Sequence, residues 1–203
     1  MNFFTADTHF FHEALLGEND FAPRPFETIE KMHQVMIASW KHVVTDHDTV
    51  YHLGDVAMHP AYEKGFPEVL ALINQLQGKI VFIKGNHDTR SFFRYLKNND
   101  PGLLGKPKFA FEDVGALIKF DHQQFLLTHY PMLLGITKNS RNLHGHIHHY
   151  SVPIAENLNV GVDAPELNFL TQPRPFGQPI SENELTLLYQ RKSEELAKLS
   201  HGE

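Results

Sequence analysis

Three short apolar runs that each stop at polar residues, with helix-like stretches between them, constrain the fold of this chain more than any other feature. Residues 2–6 (NFFTA) run into Asp7, residues 49–53 (TVYHL) into Gly54-Asp55, and KIVFIK into Gly85-Asn86-His87-Asp88. Runs of this length, rich in β-branched and aromatic residues, read as buried strands. Between the first two, from Glu27 to Val43, the apolar residues Ile29, Met32, Met36, Trp40 and Val43 recur at helical spacing. Between the second and third, Pro67 near the start and Gly78 just past the end bracket a helix expected over residues 67–77. Strand, helix, strand, helix, strand predicts a largely parallel sheet covered by helices.

The second half has a different rhythm. KFAFEDVGALIKF and QQFLLTH, within residues 108–128, are separated by Asp121-His122 and predict hairpins, and residues 157–162 (NLNVGV) predict a further strand. Ser181-Glu182-Asn183-Glu184 has the pattern of a capping box, and Leu185, Leu188, Leu196 and Leu199 continue it as a helix. No repeat or low-complexity linker interrupts the 203 residues, so one domain over residues 1–203 is the expectation.

Composition narrows the chemistry. The chain has no cysteine, which excludes disulfides and thiolate metal sites, so a metal here must be held by His, Asp, Glu or Asn. The N-terminal MNFFTADT lacks the basic start and apolar stretch of a signal peptide, and no segment approaches the ~18 consecutive apolar residues of a membrane span. A cytoplasmic protein without a membrane partner is expected. The formal charge of -6 argues against general affinity for nucleic acid. The 15 histidines are too many for one site, and His33, His42, His47, His52, His59, His122 and His201, which stand in no motif, read as ordinary surface or core residues.

The remaining polar residues gather where strands stop: Asp7-Thr8-His9, Gly54-Asp55, Gly85-Asn86-His87-Asp88, Thr128-His129-Tyr130 and Gly145-His146-Ile147-His148. In open α/β sheets ligands bind beyond the carboxyl ends of strands, so five such loops can converge on one site. Taken singly, each is an ordinary turn dipeptide or loop residue. Together they form an ordered series of carboxylate, imidazole and amide groups. Within RNLHGHIHHY (residues 141–150), an extended chain would put His144, His146 and His148 on one side and turn His149 away.

In this order, Asp7-x-His9, Gly54-Asp55, Gly85-Asn86-His87-Asp88, His129 and Gly145-His146-x-His148 resemble the five motifs of the calcineurin-like metallophosphoesterases. Small bacterial and phage members are resembled further through Asp7-Thr8-His9-Phe10-Phe11-His12, Arg24-Pro25-Phe26 and Asn159-Val160-Gly161-Val162-Asp163. The resemblance implies an α/β fold, a four-layer α/β/β/α sandwich of two mixed β-sheets flanked by helices. It implies two divalent metal ions, with Mn expected before Fe, Zn or Ni. One would be held by Asp7, His9, Asp55 and His148, the other by Asp55, Asn86, His129 and His146, with Asp55 bridging. The implied reaction is in-line attack of a metal-bridging hydroxide on phosphorus, with His87 as acid and Asp88 orienting His87. His144 is expected to support the ligands beside it, and His149 to face solvent or the rim of the cleft.

His12, Arg24 and Asn86 are the candidates for substrate contact. Arg24 could instead brace its loop, the favoured alternative, and His12 could be a structural loop residue. A small phosphoester is the implied substrate, and small size without a recognisable cap domain favours a phosphodiester. Phosphomonoesterase, nucleotide pyrophosphatase and a non-enzymatic scaffold are the alternatives. Gly54-Asp55 continues as Val56-Ala57, without the Asp-Arg-Gly continuation of the protein phosphatases, which counts against a phosphoprotein substrate. Substrate choice is expected to lie in loops 10–26, 56–66, 88–107 and 130–142.

Overall fold

The three apolar runs form parallel neighbouring strands, β1 (Asn2–Thr5), β2 (Thr49–His52) and β3 (Lys79–Ile83). The structure, a computed structural model, describes residues 1–58, 62–135, 139–170, 172 and 174–201. The first helix, α1 (Ile29–Val43), is capped by Thr28, whose side chain accepts a hydrogen bond from the Lys31 amide, and it buries Met32, Met36 and Trp40. The second, α2 (Phe66–Ile73), has Pro67 in its first turn. It ends sooner than the spacing predicts, because Gln75 and Leu76 bond back to Leu72 and Ile73 in tighter i→i+3 turns.

A third helix, α3 (Arg90–Asn98), was not anticipated. It is only nine residues long and carries Arg90, Arg94 and Lys97, but Phe92, Phe93 and Leu96 are buried and Thr89 caps it through the Phe92 amide. The following strand, β4 (Phe109–Glu112), corrects the hairpin reading of residues 108–128. It joins β3 in parallel instead of pairing with its neighbour in sequence. The aromatic rings explain the choice, since Phe109 and Phe111 both lie 5.6 Å from Phe82 between centroids, and Phe111 lies 5.0 Å from Phe93.

One hairpin remains, β5 (Gly115–Phe120) with β6 (Gln123–Thr128), closed by Asp121 and His122 at φ 47° and 58°. Two successive left-handed residues match the twist that a two-residue hairpin needs. Strand β7 (Ser140–His144) pairs in parallel with β6, and β8 (Asn157–Asn159) with β7. Strand β9 (Ile180–Ser181) returns antiparallel to β1 and leads into α4 (Glu182–His201). The Ser181 amide donates to Glu184, half of the anticipated capping box.

The result is an α/β protein with two mixed sheets, ordered β4-β3-β2-β1-β9 and β5-β6-β7-β8, flanked by helices as expected, the helices among the described residues being four. Alternation along β1 divides the core. Phe3, with Val50, Ile80 and Phe82, packs on the first three helices through Met32, Trp40, Ile73 and Leu96. Phe4, with Leu53 and Ile83, faces Phe125, Leu127, Leu143 and Leu158 of the second sheet, and Leu185 and Leu188 of α4 join them. No helix among the described residues is long and apolar enough to cross a membrane. Of the histidines without a motif, His33 and His52 are buried, His42, His47 and His122 are exposed, and His59 and the His201 side chain lie outside what is described.

Candidate metal centre

The five strand-end loops converge. Among the described residues, Asp7, His9 and His148 form one group whose ligand atoms lie within 4.8 Å of one another, and Asp55, His129 and His146 form a second. Asp55 lies between them: its Oδ2 is 3.6 Å from His9 Nε2 and 3.4 Å from His129 Nε2. Asn86 Oδ1 is 2.8 Å from His129 Nε2, which places the amide with the second group.

The donor set fits cations. Asp7 Oδ1 and His9 Nε2 are buried without a hydrogen-bond partner, an expensive state for polar atoms that a metal ion relieves. His129 Nδ1 lies 2.8 Å from the Leu53 carbonyl, which only accepts, so Nδ1 carries a proton, and Nε2 is the atom that would present a lone pair to a metal on giving up the proton that Asp55 favours there in the metal-free protein. That lone pair, the Asn86 oxygen and the Asp55 carboxylate then converge with no donor among them, an arrangement that a cation satisfies. Imidazole with carboxylate and amide oxygen suits first-row divalent ions.

The backbone has been bent to achieve this. Asp7, His9, Asp55, His146 and His148 adopt φ of 55°, 45°, 56°, 73° and 47°. Left-handed conformations are uncommon outside glycine and concentrate at functional sites. Two glycines allow the close approach. A Cβ on Gly85 would lie 2.2 Å from Asp55 Oδ1, and one on Gly145 would lie 2.4 Å from Asp7 Oδ2.

Burial sets the electrostatics. It pushes the Asp7 carboxyl up to about 7, although His129 and His148 pull the other way. Burial also acts on Asp55, but the hydrogen bond and charge of His129, with His9 and the His87 amide, hold its carboxyl below the usual range. Burial drives His9 well below the ordinary histidine value and lowers His146 and His12 as well. Neutral imidazoles are the form that binds metal.

The other site candidates divide. His12 is brought in: its Nδ1 is 3.2 Å from His9 Nδ1, and its ring is 6.4 Å from that of His87. His87 is exposed, with its ring 5.4 Å from that of His9. Arg24 is not at the substrate face. It is completely buried, and its guanidinium donates to the carbonyls of Asp7 (2.6 Å) and Thr8 (2.7 Å) and to Asp163 (3.1 Å). It has no donor directed at solvent, so it braces the loop that carries Asp7 and His9.

Asp88 also departs from expectation. Its carboxylate accepts from the Asp55 (2.8 Å), Val56 (3.0 Å) and Gly85 (2.9 Å) amides rather than from His87. It therefore ties together the two loops that carry Asp55 and Asn86. The extended reading of residues 141–148 fails after His144, where β7 ends and left-handed turns at His146 and His148 re-aim both rings. His144 is buried and bonds to the Gly145 carbonyl at the start of that turn, and His149 is exposed.

Sequence reasoning missed Asp163 as a site residue. Its carboxylate lies 3.1 Å from His148 Nδ1 and is held in turn by Arg24, so it orients a ligand ring from behind. It follows the run NLNVGV, so the strand-end rule that found the other loops also points to it.

The model of the calcineurin-like phosphoesterase family matches residues 3–177. The chain belongs to that family. An uncharacterized protein of Methanocaldococcus jannaschii is 31% identical over 144 residues, covering 70% of this chain and 66%, just under two thirds, of its own length. The gene 66 protein of Mycobacterium phage L5 is 26% identical over 187 residues, covering 79% of this chain and 86% of its own. The fold is similar to the crystal structure of a protein of unknown function from Aquifex aeolicus, with TM-score 0.63 and 25% identity over 93% of this chain and 98% of that one.

Proposed function

We propose that this phosphoesterase-family chain is a dinuclear metal-dependent phosphohydrolase that cleaves small phosphodiesters. The observation that carries the reading is the pair of buried Asp/His groups with the Asp55 carboxylate between them. Asp7, His9 and His148 would hold one ion and Asn86, His129 and His146 the other, with Asp55 shared. Two such ions, with Mn the first choice, would clamp a phosphoryl group and acidify a bound water.

The protein's own part is positioning and proton transfer. His87 is exposed beside the ligand groups, where its ring can give a proton to the departing oxygen. Its backbone amide donates to Asp55 Oδ1 (2.8 Å), which fixes the loop relative to the shared carboxylate. His12, whose ring lies 5.1 Å from that of His9 and 6.4 Å from that of His87, is placed to contact a bound phosphoester.

Metal-stripped protein reloaded with Mn, Ni, Zn or Fe should cleave bis(p-nitrophenyl) phosphate faster than p-nitrophenyl phosphate. His87→Ala should keep its metals and lose about 10²–10⁴-fold in turnover. A faster monoester reaction would replace diesterase by monoesterase. Bound metals with no turnover of either compound would favour the scaffold.

A further inference from the structure

We propose that a cavity between α2 and α3 receives the aromatic leaving group of the phosphoester. This inference rests on the phosphohydrolase reading and names the substrate class that the same site prefers. The cavity, of 340 Å³, is lined by Met58, Phe66, Val69 and Phe92, and its remaining wall includes Asn86 and His87. It therefore begins at the residues that line the reacting centre and continues away from the ligand groups. The histidine placed to protonate the leaving oxygen is shared by both. An ester bound at the metals would thus direct the group on that oxygen into this space.

The lining selects the chemistry of the occupant. Among the described residues, no carboxylate, lysine or arginine lines the cavity. Phe66 and Phe92 stand 5.3 Å apart between centroids at 49°, so the wall is aromatic on this side. Met58 adds a thioether, which favours contact with aromatic edges. The polar side chains of the wall are Asn86, His87 and Thr89. Thr89 Oγ1 caps α3 through the Phe92 amide and pairs with Ser91, and Asn86 Oδ1 faces His129. A base with exocyclic donors and acceptors would find no partners among Met58, Phe66, Val69 and Phe92, whereas a plain aryl ring needs none. Pockets of a few hundred Å³ with apolar walls and one polar end are typical small-molecule sites. Of the lining, Ala57, Met58 and Phe66 belong to residues 56–66 and Thr89 and Phe92 to residues 88–107, two of the four segments expected to govern substrate choice.

The test uses Mn-loaded full-length protein and isothermal titration calorimetry with methylphosphonate, phenylphosphonate and inorganic phosphate. Burial of a phenyl ring should make phenylphosphonate bind about 10–100-fold tighter than methylphosphonate. Ala57→Phe, which fills the cavity from a half-buried position, and Met58→Glu, which puts a charge in its wall, should each reduce that ratio to about twofold while Mn still binds. Equal binding of the two phosphonates by the wild-type protein, or a preference that survives both variants, overturns the proposal. Should none of the three anions bind, the phosphohydrolase reading fails separately, and phenol alone decides the cavity. Millimolar binding of phenol that Ala57→Phe abolishes would support an aryl site, and no binding would remove it.

Discussion

Replacing Asp88 by Ala tests whether this carboxylate serves the backbone or the catalytic histidine. Three buried amides, of Asp55, Val56 and Gly85, lose their acceptor in the variant. Each unsatisfied buried group costs about 1–3 kcal/mol, so the three together cost roughly 6 kcal/mol at mid-range. Burial pushes the Asp88 carboxyl up to about 6 against those amides, and relief of that buried charge returns about 3 kcal/mol at neutral pH. The net loss is then about 3 kcal/mol out of a total stability of about 5–15 kcal/mol. For a chain of this size that lowers the melting temperature by about 6–12 °C. Asp88→Asn should lose less, since one amide oxygen still serves Asp55 and Gly85 while its NH2 opposes the Val56 amide. Urea unfolding in EDTA, followed by the fluorescence of the single, buried Trp40, measures both variants. If Asp88→Ala unfolds like the wild type and loses only turnover, the backbone role is refuted and the carboxylate acts on His87.

Further outcomes are expected elsewhere in the site. Asp55→Ala should lose metal from both groups, so that elemental analysis after dialysis finds neither ion retained; two ions at full occupancy would sink the shared-ligand assignment. Gly145→Ala puts a Cβ 2.4 Å from Asp7 Oδ2 and should displace that carboxylate, seen as weakened binding of one ion in a Mn titration. Asp7→Asn should stabilise the metal-free fold increasingly as pH rises. The folded carboxyl titrates near 7 against 3.8 ordinarily, so above pH 4 the unfolded chain sheds a proton that the folded chain keeps, and stability falls up to pH 7. Asn removes that loss, so thermal melts in EDTA should separate variant from wild type more at pH 8 than at pH 5.

The sequence exposes the parts of this molecule whose signals are local. Strands β1 to β3 are legible as short β-branched and aromatic runs that stop at polar turns, and helix α1 because its apolar spacing recurs over fifteen residues. The ligand loops are legible because each follows a strand. Helix α3 is lost because nine residues bearing three cations show too little periodicity beside the adjacent Phe92-Phe93. Strand β4 is misassigned because its partner is chosen by Phe82 and Phe93, contacts that no local pattern encodes. Arg24 is placed near the site with loop bracing favoured over substrate contact, as found, whereas Asp88 is given the wrong neighbour. A charge in a motif loop looks the same in sequence whether it faces a phosphate or a row of buried amides.

Those two residues answer a single structural problem. Holding five ligand residues at left-handed φ costs on the order of 1–3 kcal/mol each, a sum comparable to the stability of a whole domain. It also breaks the strand ladders just where β1, β2 and β3 end, leaving buried amides and carbonyls in need of partners. Part of the demand is met by backbone: the Asp7 amide bonds to Gly54, the His9 amide to Asp55 and the Gly145 amide to His129. The remainder is met by charge. Arg24 supplies donors to the carbonyls of Asp7 and Thr8, and Asp88 supplies acceptors to the amides of Asp55, Val56 and Gly85. One guanidinium and one carboxylate thus secure the loops behind both ligand groups. They act from behind the site, fully buried, and so neither faces the substrate.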